Sequence, residues 1–140
     1  KKIRGFKDLL KPGIKVAVTN GSGQVGLWED VAARSGNIAD VQALRRNIGV
    51  FAGNTGIAKN IWEQNPSFDA WLVYNHWALA FPAVGDIVPL ERTYRIYRPM
   101  EVALTGKGES SPEAKAFVAF LQSAQGKAAF EKFGWRTRAR

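Results

Sequence analysis

The sequence has no cysteine and only one histidine among its 140 residues. The lack of cysteine fits an oxidising compartment without structural disulfides and equally fits the cytosol. Because His76 stands alone and the acidic residues are scattered, we expect no zinc or iron site. His76 is therefore interpreted as a hydrogen-bonded bystander.

Long hydrophobic runs are also missing. The longest extend over a few residues, as in Ala78–Phe81, whereas a membrane-spanning helix needs roughly 18. The N-terminal KKIRGFK is followed by no apolar export-signal core, so we expect that any signal peptide has been removed. The hydrophobic content of 46% suits one compact domain, or one and a half small lobes.

The net charge of +8 is concentrated at the two ends of the chain. The basic residues at the ends are Lys1, Lys2, Arg4, Lys7, Arg136, Arg138 and Arg140. Residues 8–135 include thirteen basic and twelve acidic residues, so this central part of the chain is nearly neutral. We expect solvated ends and no nucleic-acid partner, because nucleic-acid binding needs clustered positive charge.

No catalytic motif is present. No serine has a nucleophile elbow or a histidine partner, and no two carboxylates have the spacing of an acid–base pair. GSGQVG at 21–26 matches the dinucleotide pattern G-x-G-x-x-G, but Asp40, the nearest suitably spaced acid, precedes a helical segment. The sequence therefore predicts no enzyme and no cofactor, with a dinucleotide-binding oxidoreductase fragment as the least favoured alternative.

Strand-like and helix-like segments alternate along the chain, which predicts an α/β fold with a parallel or mixed sheet flanked by helices. The predicted strands are Lys15–Val18, Ile48–Ala52, Asp69–Tyr74, Asp86–Glu91 and Met100–Thr105. The predicted helices follow Gly26, span Ile38–Asn47 and Asn54–Asn65, and begin again at His76, Pro112 and after Ser123. In the Pro112 helix, Ala114, Phe117, Val118 and Leu121 form a predicted buried stripe.

The stretch RTYRIYR, residues 92–98, interleaves basic and aromatic side chains, as surfaces that stack nucleic-acid bases do. Its alternation is better explained by a strand with Tyr94 and Ile96 inward and Arg95 and Tyr97 outward.

Two glycine-containing loops, 21–26 and 53–56, each lead into a predicted helix. The first amides of a helix lack intrahelical partners and carry positive partial charge, so such ends bind anions. From spacing alone, Ser22 and Asn54 are equally well explained as caps of their own helices. Tyr74 and Asn75 close a predicted strand, where ligands of open α/β sheets bind.

Four segments, KVAVTNGSGQVGLWEDVA, FAGNTGIAKNIWEQNP, DAWLVYNHWALA and SPEAKAFVAFLQSAQGKAAFEKFGW, resemble the periplasmic solute-binding proteins of the molybdate and sulfate type. The resemblance is strongest to the AcfC group of accessory colonisation factors. It implies the type 2 periplasmic-binding-protein fold, in which helix N-terminal amides and a few hydroxyls hold an oxyanion between two lobes. It also implies a periplasmic location, a small anionic ligand, and a membrane transporter permease or chemoreceptor as partner.

The resemblance also implies which residues bind the ligand. They are Ser22, Gln24, Val25 and Gly26 in the first loop, Asn54 and Thr55 in the second, and Tyr74 with its neighbour Asn75. A ligand-sensing domain of a LysR-type transcription regulator, which shares this fold, stays open as the alternative.

By the same resemblance, residues 1–99 form the ligand-binding second lobe, and 100–140 form a return segment with C-terminal helices of an incomplete first lobe. The helices between 112 and 135 would then lack their own sheet. Phe117, Val118, Leu121 and Phe130 would be uncovered, at a cost of about 1.5–3 kcal/mol for each large apolar side chain. We therefore expect the chain to self-associate, and one way to do so is to exchange elements between copies.

Overall fold

A computed structural model describes residues 2–137 as an α/β chain. Its strands are β1 (Val16–Thr19), β2 (Ile48–Ala52) and β3 (Ala70–Leu72). Its helices are α1 (Leu27–Ala33), α2 (Ile38–Asn47), α3 (Thr55–Gln64), α4 (Asn75–Ala80), α5 (Gly106–Glu109), α6 (Pro112–Gln122) and α7 (Ala124–Lys132). Short 3-10 turns span Phe6–Leu10 and Arg92–Tyr94.

The three strands form one sheet in the order β2-β1-β3, and both pairings are parallel. The predicted α/β class is therefore confirmed, with a wholly parallel sheet among the described residues in place of a mixed one. Every residue of β1 is buried, as expected for a central strand covered on both faces. The parallel arrangement brings the carboxyl ends of all three strands to one edge of the sheet.

The chain divides into two compact units. The first comprises the described residues up to Tyr74 together with Ala83–Tyr97, and the second comprises Asn75–Pro82 with the described residues from Arg98 onward. The assignment of residues 1–99 and 100–140 to two lobes stays a prediction.

The first unit has its core between the sheet, α1, α2 and the N-terminal 3-10 turn. Phe6 is completely buried and stacks on Tyr94 with ring centroids 4.2 Å apart. The backbone N–H of Phe6 donates to the Glu91 carboxylate at 2.6 Å, which anchors the N-terminal segment. The basic side chains of Lys2, Arg4 and Lys7 are exposed, as predicted for a solvated end, although the backbone at Phe6 is anchored. Lys1, Arg138 and Arg140 lie outside the described residues.

The interpretation of Asn54 as a helix cap is confirmed, whereas that of Ser22 was wrong, because α1 begins after Gly26 without a side-chain cap. The side chain of Asn54 accepts the backbone N–H of Ile57 at the start of α3, and Asn37 does the same for Ala39 in α2. In the second unit, Ser111 and Ser123 accept backbone N–H groups at the starts of α6 and α7. Side-chain caps satisfy amides that the helix itself leaves without partners.

The second unit is helical and small. A β-carbon on Gly126 would overlap the carbonyl oxygen of Phe120, so only glycine allows α7 to turn so tightly after α6. Near the end of the described chain, the amide of Asn75 donates to the carbonyl oxygen of Gly134 at 3.2 Å, and His76 stacks on Trp135 at 5.1 Å between ring centroids.

The predicted buried stripe of α6 was wrong at Phe117, whereas Ala114, Val118 and Leu121 are half-buried. The expectation that Val118, Leu121 and Phe130 lie uncovered was also wrong, because all three are half-buried. Phe117 is 59% exposed, Phe120 is 44% exposed, and no residue of α6 is fully buried. Phe133, just after α7, is 40% exposed. The second unit therefore presents large apolar side chains to solvent.

The predicted strands at Asp86–Glu91 and Met100–Thr105 were also wrong, because both segments are irregular. Residues 92–94 form a 3-10 turn in place of a strand, yet the predicted burial holds, with Tyr94 buried and Arg95 and Tyr97 exposed. None of the helices within residues 2–137 is long and apolar enough to cross a membrane.

Candidate functional site

The candidate site lies at the carboxyl edge of the sheet, where β1 ends at Thr19 and β2 ends at Ala52. The segments that follow β1 and β2 stay paired beyond the strands, because the backbone N–H of Asn20 donates to the carbonyl oxygen of Ala52 at 2.8 Å. One residue further on, Gly21 packs directly against the carbonyl of Gly53. The loops that lead into α1 and α3 therefore begin side by side.

A buried hydrogen bond joins these loops a second time. The Gln24 side-chain amide donates to the hydroxyl of Thr55, the first residue of α3. Gln24 is 2% exposed and Thr55 is 5% exposed, so water does not compete for this bond. The starts of α1 and α3 thus lie together on one side of the first unit.

The start of α3 has the features of an anion site. Asn54 caps the Ile57 amide at 2.9 Å, while the amides of Thr55 and Gly56 precede the first intrahelical bond. The first turn of this ten-residue helix contains no acidic residue. Its positive end is therefore not neutralised by the helix's own side chains.

The start of α1 is different. This helix has seven residues, begins after Gly26 in the left-handed region, and has no side-chain cap. Its first turn carries Glu29 and Asp30. Because carboxylates already occupy the positive end, α1 attracts a further anion less strongly than α3 does.

Three buried polar atoms between residues 19 and 29 have no hydrogen-bond partner among the described residues. They are Thr19 Oγ1, Gln24 Oε1 and Glu29 Oε2. A buried polar atom without a hydrogen bond usually costs about 1–3 kcal/mol of stability, so three of them within one short segment are unusual. Sequence reasoning missed both Thr19 and Glu29. A threonine that closes the apolar strand VAVT was the available indication.

The other predicted binding residues take different positions. Ser22 is exposed with φ 49°, and Val25 is 63% exposed, so both lie on the surface of the first loop. Tyr74 follows β3 and packs, half-buried, against the core of the first unit. Asn75 belongs to the second unit, where its side chain binds Gly134.

The structure gives no support to a dinucleotide site. Gly21 is already in contact with Gly53, and Asp40 lies within α2, where its carboxylate accepts hydrogen bonds from Ser35 and Tyr94 at 2.8 and 2.9 Å. Within residues 2–137 no group of three or more histidine, cysteine or acidic side chains is placed to hold a metal ion.

A parallel α/β sheet with loops and helix starts gathered at its carboxyl edge is the architecture of the periplasmic binding proteins, as the sequence predicted. Residues 1–136 match the family of bacterial extracellular solute-binding proteins, and the chain belongs to that family. The finer assignments, to the molybdate and sulfate type and to the AcfC group, stay predictions.

Solved structures of PEB3 have the same fold. PEB3 bound to L-phospholactate superimposes with a TM-score of 0.83 at 31% sequence identity, and covers 98% of this chain. Peb3 from Campylobacter jejuni gives a TM-score of 0.77 at 31% identity, again over 98% of this chain. The chain spans 60% of the length of each of these proteins. A search of curated protein sequences finds no match.

Proposed function

We propose that the chain is the ligand-binding part of a solute-binding protein that captures a small oxyanion at the start of α3. The observation that carries this proposal is the uncovered positive end of α3 beside the loop from β1. The Thr55 and Gly56 amides point toward no acceptor of their own helix, and no acid occupies the first turn. Each charge-assisted hydrogen bond contributes roughly 1.5–3 kcal/mol, so a few of them give micromolar affinity.

The ligand class is a sulfate-like anion, a sulfated compound or a small carboxylate. L-Phospholactate, which is bound to PEB3 in one relative's structure, carries a phosphate and a carboxylate and supports the choice of an oxyanion. In the proposed site, Asn54, Thr55 and Gly56 hold the anion while Ser22, Val25 and Gly26 line the facing loop. Tyr74 offers its hydroxyl from the end of the neighbouring strand.

The proposed role is capture without catalysis in the periplasm, followed by delivery to a transporter permease or a chemoreceptor. Membership of an extracellular solute-binding family supports this over the ligand-sensing domain of a LysR-type regulator. The upstream gene sequence separates the two, since an export signal supports the first and a helix-turn-helix segment the second.

Thermal unfolding with a panel of anions tests the proposed function. A ligand present at a hundred times its dissociation constant stabilises the folded state by about 2.7 kcal/mol. We expect sulfate, molybdate, L-phospholactate or a small carboxylate to raise the melting temperature by several degrees, with NAD and sodium chloride as controls. A melting temperature that responds to NAD and to none of the anions contradicts the proposal.

We also propose that the chain self-associates through the apolar side chains of its second unit. Phe117 and Phe120 on α6 and Phe133 after α7 are each at least 40% exposed. Removing such side chains from water is favourable by about 25 cal/mol for each Å² of apolar surface, and a second copy supplies the same apolar face.

A further inference from the structure

We infer that Gln24 is a positioning residue of the anion site: its side chain fixes the loop after β1 against the start of α3 and does not itself bind the ligand. This inference rests on the proposed function. It also revises the expectation, taken from the family resemblance, that Gln24 contacts the anion.

Burial is the first argument. At 2% exposure the Gln24 side chain is shielded from solvent, and its amide nitrogen is already bonded to the Thr55 hydroxyl. Thr55 is itself 5% exposed. A solute outside the loops therefore reaches backbone amides and exposed side chains before it reaches the Gln24 amide.

The backbone of Gln24 provides the second argument. Its N–H donates to the carbonyl of Gly21 at 3.0 Å, which closes the first turn of the loop, and its carbonyl accepts the N–H of Leu27, the first residue of α1, at 3.1 Å. One residue thus connects the turn after β1, the start of α1 and, through its side chain, the start of α3. A displaced Gln24 would release all three together.

Charge neutrality is the third argument. Gln24 Oε1 is buried without a partner, close to the positive end of α3 because the same amide group binds Thr55. A glutamate there has nearly the same shape but brings a negative charge. That negative charge would offset the positive potential at the start of α3 and repel the proposed anion, whereas the neutral amide does neither.

The first test compares anion binding by the unaltered chain, Gln24→Glu and Gln24→Met, with inorganic sulfate as the probe in isothermal titration. At about pH 8 we expect both variants to bind sulfate at least tenfold more weakly. At about pH 4.5 Gln24→Glu should recover most of this loss, because a protonated carboxyl resembles the amide, while Gln24→Met should not. Gln42→Glu, an identical change at an exposed position of α2, is the matched control and should bind like the unaltered chain.

A second measurement needs no ligand. We expect the losses of melting temperature in Gln24→Met and Thr55→Val to be clearly non-additive in the double variant, because either change alone breaks the same bond. Additive losses, or sulfate affinities unchanged in both Gln24 variants, overturn the inference. If the losses of melting temperature are non-additive but the chain binds no anion of the panel, the Gln24–Thr55 link between the loops is supported and the proposed function is rejected.

Discussion

Gly21 lies against the carbonyl oxygen of Gly53, and a β-carbon on Gly21 would overlap that oxygen. We predict that Gly21→Ala destabilises the chain by about 1–3 kcal/mol, since backbone atoms that cannot rotate away must move apart. The same shift separates the two loops and lowers anion affinity. Urea unfolding followed by tryptophan fluorescence measures the stability change.

Gly53→Ala is the control for this prediction. Gly53 faces its neighbour across the same contact, but a β-carbon there meets no atom within 4 Å. We expect its unfolding free energy to stay within about 1 kcal/mol of the unaltered value. Equal losses in the two variants would show that the close approach of the loops has no energetic importance.

Asn54 and Asn37 form a natural pair, because both cap helices of ten residues in the first unit. Each Asn→Ala change should cost about 1 kcal/mol of stability through loss of the cap. Only Asn54→Ala should also weaken anion binding, since α3 begins at the candidate site and α2 does not. Calorimetric titration of both variants checks this, and equal affinities would remove α3 from the site.

The local patterns in the sequence predicted the elements that local chemistry determines. The bounds of α2 and β2, the cap at Asn54 and the starts of α6 and α7 agree with prediction, because capping and periodicity act over a few residues.

The sequence failed where distant residues decide the structure. Asp86–Glu91 alternates like a strand but has no strand beside it among the described residues, and Phe117 and Phe120 of α6 stay exposed. The Gln24–Thr55 bond joins two loops that no periodic pattern connects. The family resemblance brought these residues into one site, and only the structure showed that Gln24 is buried.

Self-association should depend on the exposed face of α6. We predict that Phe117→Gln combined with Phe120→Gln lowers the average mass seen by light scattering at high protein concentration. Ile38→Gln is the control, because Ile38 is 68% exposed on α2 in the other unit and its loss should change little. A monomer at all concentrations in the unaltered chain contradicts the prediction.

His76 should make stability depend on pH. Burial lowers the pKa of His76 below its ordinary value of 6.5, so the unfolded chain binds the proton more readily than the folded chain. The contribution of neutral His76 to the free energy of unfolding is therefore complete above about pH 6.5 and is lost as the pH falls below that value.

We predict that the unfolding free energy of the unaltered chain falls more between about pH 7.5 and pH 5.5 than that of His76→Gln. Other groups titrate equally in both proteins, so the difference isolates His76. If the unfolding free energies of the two proteins change with pH in parallel, the pKa of His76 in the folded chain is not below its pKa in the unfolded chain.

The order β2-β1-β3 has a consequence for how the chain reaches this structure. β1 is made first yet lies in the middle, so Val16 pairs with Ile48 on one side and with Ala70 on the other. During synthesis, the second flank of β1 stays unpaired until Ala70–Leu72 leave the ribosome. Refolding of the first unit must close both long loops before the sheet forms, so this unit should fold more slowly than the helices of the second.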